Sequence, residues 1–220
     1  MSKTISDSNF WGKCLEFFTG VYQRNKIVLT VSLVIFFAYL FLGILVGYFS
    51  SDIIENLLKT YTQAIHSANI EITTISIFIH NLQAALIAYF GGIIGIISAL
   101  VLIFNGFIYG AFLGYLMHGS SVSSFGVLTP GKFLVYTLPH GIFEITGFII
   151  AGAAGFRLTT LSAGVIKSII KKTPINEHYW KFTDSLALFV VAIILIFIAA
   201  IIEANITASL GNYITGFNLP

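Results

Sequence analysis

Charge is what this sequence has least of: only 9% of its 220 residues are Asp, Glu, Lys or Arg, against 57% that are hydrophobic. A water-soluble chain of this length lacks the polar side chains to cover such a composition, which excludes a soluble globular fold. The shortage is also uneven. From Ile72 to Gly131 there is no Asp, Glu, Lys or Arg at all, and a run of that kind is at home in a bilayer. Cysteine is reduced to Cys14, so no internal disulfide is available and no cysteine metal site can be assembled. A net charge of +2, with no basic run interleaved with aromatics, argues against a nucleic-acid partner. No internal repeat or low-complexity segment is visible.

What the chain has in excess is uncharged length. A hydrocarbon core of roughly 30 Å takes about 20 helical residues to cross. By that measure the sequence reads as all-α, a polytopic integral membrane domain over 1–220 with spans at about 27–49, 74–91, 93–117, 132–156 and 185–206. The first is too long for the apolar part of a cleaved signal peptide and reads as a retained anchor. The apolar stretch from Ile75 to His118 is twice what one helix needs, and Gly91-Gly92 with Gly95 marks the place for it to turn back.

The basic residues give a separate count. Lys3, Lys13, Arg24 and Lys26 precede the first span, and Arg157, Lys167, Lys171, Lys172 and Lys181 fall between the fourth and fifth. Cytoplasmic segments collect Lys and Arg, so both regions are expected on the cytoplasmic face of the plasma membrane. An even number of crossings must then separate them, which requires splitting Ile75 to His118 in two. The N-terminus is expected inside and the C-terminus outside. Three further stretches, about 8–24, 52–68 and 160–172, repeat apolar residues at helical spacing and are expected as separate amphipathic helices on the membrane surface.

Polar residues inside the spans are the candidate site. The stretch LPHGIFEI, Leu138 to Ile145, carries His140 and Glu144 one helical turn apart. Counting inward from Gly131 at 1.5 Å per residue puts them about 13 and 19 Å deep. Asn105 is expected near the middle of the third span, His80 and Asn81 in the outer third of the second, and Glu203 near the outer end of the fifth. A charge at the bilayer centre costs at least ~3 kcal/mol, so such residues normally face the bundle interior or a wet cavity. The expectation is one polar cluster of His80, Asn81, Asn105, His140, Glu144 and Glu203. Pro139, which removes a backbone donor and clashes one turn back, predicts with Gly141 a kinked or broken helix beside it. Small residues at intervals of four, Gly147, Ala151 and Gly155 on the fourth span and Gly106, Gly110 and Gly114 on the third, are helix-packing positions. Packed on each other, the two ladders would bring Asn105 to the His140 and Glu144 face.

Four segments together resemble the stage II sporulation protein M family: LPHGIFEI with AGAAGFRL at Ala151 to Leu158, and upstream FIHNLQAALIAYFGGIIGI at Phe78 to Ile96 with FNGFIYGAFLG at Phe104 to Gly114. The family's recurrent marks map onto His80 and Asn81, onto Asn105 and Gly106, and onto Pro139, His140, Gly141 and Glu144. The resemblance implies a five-span protein with no soluble domain. In spore-forming bacteria the named member holds peptidoglycan-degrading partners at the membrane during engulfment.

Three functions are compatible with these residues. The first is a non-catalytic scaffold or assembly protein, whose partners are the lipid bilayer and further copies of itself or other membrane and cell-envelope proteins. The second is a transport or channel component that binds a proton, a cation or a small solute at His140 and Glu144. The third is an intramembrane metal-dependent hydrolase using His80, His140 and Glu144 as ligands. Lacking an HExxH-type helix, the sequence assigns no catalytic residue, metal site or cofactor, and the scaffold is the leading expectation.

Overall fold

The computed structural model describes residues 8–57, 60, 73–119 and 129–215. Five helices in it are long and apolar enough to cross a membrane. They are α1 (Ser8–Phe49), α2 (Thr74–Phe90), α3 (Ile96–Met117), α4 (Pro130–Lys171) and α5 (Tyr179–Ile202), followed by a π-helical turn at Glu203–Thr207 and α6 (Ala208–Thr215). The protein is an all-α polytopic membrane protein. Its outward faces carry Ile87, Phe104, Ile108, Ile142, Val190 and Ile194, the apolar surface that acyl chains require.

The turn expected at Gly91 is present. The chain passes from α2 through a 3-10 turn at Gly91–Ile93 and enters α3 at Gly95, whose φ of 86° lies in the left-handed region. Only glycine adopts that backbone readily. The turn is seated on α4: Gly92 abuts the Gly155 backbone so closely that a Cβ could not be placed there, and Thr159 Oγ1 donates to the Gly92 carbonyl at 2.6 Å.

The ladder on α3 finds a different neighbour from the one expected. Gly106, Gly110 and Gly114 lie against the Phe36, Leu40 and Ile44 carbonyls of α1, while Gly43 and Gly47 lie against Phe107 and Ala111 of α3. Contacts advance together along both helices, so α1 and α3 run parallel, backbone on backbone. The α4 ladder is divided among three helices: Gly147 faces Ala192 and Ile196 of α5, and Gly155 faces Ala88 of α2 and Ser98 of α3. The physical reason is that a missing Cβ permits close approach without specifying whose backbone comes close. Gly43 and Gly47, at the same spacing of four, are the signal that sequence reasoning passed over.

Two of the surface helices expected as separate elements are not separate. Residues 8–24 are the first turns of α1, and 160–172 the last turns of α4. Neither junction contains a proline, and Asn25 and Leu158, near the junctions, are buried, so nothing interrupts the helical hydrogen bonds. The third stretch is helical over 51–57, where Ile54 packs against Ala111 and Tyr115; most of its remainder lies outside the described residues. The last span also runs further than expected, continuing as helix to Thr215.

Candidate functional site

Three ionisable side chains converge between α4 and the π turn. One ligand atom from each of His140, Glu144 and Glu203 lies within 4.8 Å of the other two. His140 and Glu144 are buried, and the facing atoms His140 Nε2 and Glu144 Oε2 are 3.9 Å apart. Each of these two residues is held by its other polar atom. His140 Nδ1 meets Thr207 Oγ1 at 3.1 Å, and Tyr109 Oη donates to Glu144 Oε1 at 3.0 Å. Tyr109 and Thr207 are therefore part of the site, although sequence reasoning passed over both. Thr207 carried no signal, whereas Tyr109 sits one helical turn beyond Asn105 in an otherwise apolar span.

A backbone irregularity lies across from Pro139, on the partner helix. α4 runs without interruption from Pro130 to Lys171, so Pro139 and Gly141 do not break it. Side chains on both sides of Pro139 are tied to the last helix: Tyr136 Oη donates to Asn212 Oδ1 at 2.7 Å, and His140 is held by Thr207. Packing of this kind holds a helix through the single hydrogen bond that proline removes. The widened turn lies across from it at Glu203–Thr207, where Thr207 Oγ1 donates to the Ile202 carbonyl at 3.2 Å. Single π turns of this type occur frequently at functional sites.

The other expected members of the cluster stay apart. His80 lies on the exposed side of α2, so the ligand set His80, His140 and Glu144 is not assembled. Asn81 is buried but makes no hydrogen bond to the three ionisable residues among those described. Asn105 turns its amide onto the Val101 carbonyl of its own helix at 2.8 Å. Tyr109, one turn further along the same face of α3, is the residue that reaches Glu144.

A second polar centre, absent from the sequence reading, lies at the opposite end of the bundle. Asp184, whose side chain is 1% exposed, pairs with Arg24 Nη2 at 2.6 Å and Arg157 Nη2 at 3.2 Å. Arg24 Nε adds a bond at 3.0 Å, and Asn25 Nδ2 donates to the same carboxylate at 3.0 Å. The Arg24 guanidinium also lies 5.6 Å from the Trp180 ring centroid, within cation–π range. Asp184 thus joins α1, α4 and α5, and puts the basic region before the first span at the same end of the bundle as the basic region after the fourth. An acidic residue at the mouth of the fifth span, directly after the second group of basic residues, was the available signal. His178, just before α5, is half-buried and hydrogen-bonded to Ser168 Oγ at 3.0 Å.

Comparison with known proteins places these features in a family. The chain is 34% identical over 179 residues to an uncharacterized protein of Methanocaldococcus jannaschii, covering 79% of this chain and 92% of the relative. A second uncharacterized protein of the same organism is 28% identical over 201 residues, covering 84% and 83%. No solved structure gives a significant match. The family described as stage II sporulation protein M matches residues 26–208, a stretch that holds His140, Glu144, Glu203, Arg157 and Asp184 and begins just after Arg24 and Asn25, and the chain belongs to that family.

Proposed function

We propose that this protein is a non-catalytic membrane scaffold whose cytoplasmic end receives a partner protein. The supporting observation is the overrun of two helices. α1 and α4 each contain 42 residues, about 63 Å of helix and roughly twice the hydrocarbon thickness. Arg24 and Arg157 meet at Asp184, so the turns before Arg24 and those after Arg157 project from the same end, by about 24 and 21 Å. Both projections carry exposed apolar side chains, Trp11, Leu15 and Phe18 on one and Ile166, Ile169 and Ile170 on the other. Lys13, Lys167 and Lys171 lie among them, and the positive-inside rule assigns this end to the cytoplasm of the plasma membrane.

A photoreactive residue at Leu15 or Ile166 is expected to give discrete protein adducts in native membranes. At lipid-facing Phe104 it is expected to give none. Adducts confined to lipid at all three positions would remove the basis for the scaffold. A second reading, a transport component, is supported by the buried His140, Glu144 and Glu203 group, because ionisable residues at such depth commonly mark ion pathways. It requires proton- or cation-dependent flux in liposomes that Glu144→Gln abolishes; flux at the background of empty liposomes counts against it.

A further inference from the structure

We propose that His140, Glu144 and Glu203 form a binding site for one divalent transition-metal ion of the zinc class, set between α4 and the π turn. The inference rests on neither functional reading above, since a metal could clamp a scaffold or occupy a pathway.

The first argument is the placement of the unused atoms. In a metal-binding histidine, one ring nitrogen coordinates while the other donates its proton to an outer partner, which fixes the tautomer. Here Nδ1 is engaged by Thr207 Oγ1, leaving Nε2 as the free lone pair. Glu144 is arranged the same way, with Oε1 occupied by the Tyr109 hydroxyl and Oε2 facing Nε2. Glu144 is 94% removed from solvent by a relative exposure of 6%, and Oε2 has no hydrogen-bond partner among the described residues. Neither oxygen of Glu203 has one either. Three donors are therefore aimed into one space, two of them held from behind.

The second argument is charge. Two carboxylates in a low-dielectric interior repel strongly, and a single imidazole cannot neutralise both. A divalent cation makes the group electrically neutral. Its identity follows from the donors. One imidazole nitrogen and two carboxylate oxygens suit zinc or a neighbouring first-row ion, whereas calcium needs six to eight oxygens and magnesium prefers to keep most of its water. Zinc bonds of about 2.0–2.2 Å at a tetrahedral angle put neighbouring donors roughly 3.4 Å apart. The observed 3.9 Å between Nε2 and Oε2 closes to that with a side-chain shift of about half an ångström. The π turn supplies the third ligand: a widened turn re-aims the residues it contains, and both Glu203 and Thr207, the residue orienting His140, belong to it.

The test uses the full-length protein purified in detergent, stripped with chelator, reloaded with zinc and dialysed. One zinc per chain is expected, with an upward shift of the melting temperature that excess magnesium or calcium does not reproduce. X-ray absorption should show a nitrogen and oxygen shell containing a single imidazole. Glu203→Gln, a neutral isostere at a half-buried position, should abolish both stoichiometric zinc and the melting shift. Tyr109→Phe, which removes the hydroxyl that supports Glu144 Oε1, should weaken zinc affinity by about tenfold or more at unchanged saturating stoichiometry. No retained zinc in the folded wild-type protein would overturn the proposal. So would wild-type zinc content in folded Glu203→Gln, or a sulfur ligand pointing to Cys14.

Discussion

Asp184→Asn is expected to lower the stability of the detergent-solubilised protein by about 3 kcal/mol, the lower end of what breaking a buried ion pair costs. The substitution leaves two guanidinium groups, from Arg24 and Arg157, facing one another at a position that is 1% exposed. The amide can accept one of their hydrogen bonds but supplies no counter-charge. Arg24 is 40% exposed, and water reaching it keeps the loss from growing larger. Removing the other side of the pair should matter less. Arg24→Gln leaves Asp184 with Arg157 and Asn25, and a loss of about 1 kcal/mol is expected, in the range of a part-exposed pair. Thermal unfolding followed by the fluorescence of Trp180, which sits beside Arg24, reports both. If Asp184→Asn melts no lower than Arg24→Gln, the carboxylate does not hold α1, α4 and α5 together.

Gly110→Ala is the second change with a large expected effect, although it adds one methyl group. The new Cβ would overlap the Leu40 carbonyl oxygen and lie 2.9 Å from the Ile44 backbone nitrogen. These are backbone atoms and cannot swing aside. Relief requires α1 and α3 to separate, which loosens every contact from Phe36 to Gly47 at once. Overpacking of this kind costs typically 1–3 kcal/mol, and the upper end is expected because lipid offers no hydrophobic drive to restore the pair; close van der Waals packing is what associates helices in a bilayer. Gly12→Ala provides the contrast. Nothing lies within 4 Å of a Cβ at Gly12, and alanine is the better helix former by about 1 kcal/mol, so this variant should unfold at the wild-type temperature or slightly above it. Equal melting of the two variants would show that backbone contact between α1 and α3 is not what holds them.

The legible parts of this protein are those that depend on residue type and spacing alone. Five apolar stretches were readable because the free energy of placing Leu or Lys in hydrocarbon belongs to the side chain. The turn at Gly91 to Gly95 was readable because its left-handed residue had to be glycine. That His140 and Glu144 face inward was readable because a charged pair directed at acyl chains is too costly. Illegible were the partners. Pro139 suggested a break, but side chains on either side of it are anchored to the last helix, and the irregular turn appears around Glu203 instead.

The sequence by itself determined that this chain lies in a membrane, how many times it can cross, and that its buried ionisable residues must find company. Those properties are local, set by side-chain chemistry and the fixed rise of a helix. Only the tertiary structure decided that α3 rests on α1, that Tyr109 and Thr207 support the pair on α4, and that Asp184 gathers two arginines from distant segments. Each of those depends on which backbones approach closest, and glycine permits an approach without naming the helix that makes it.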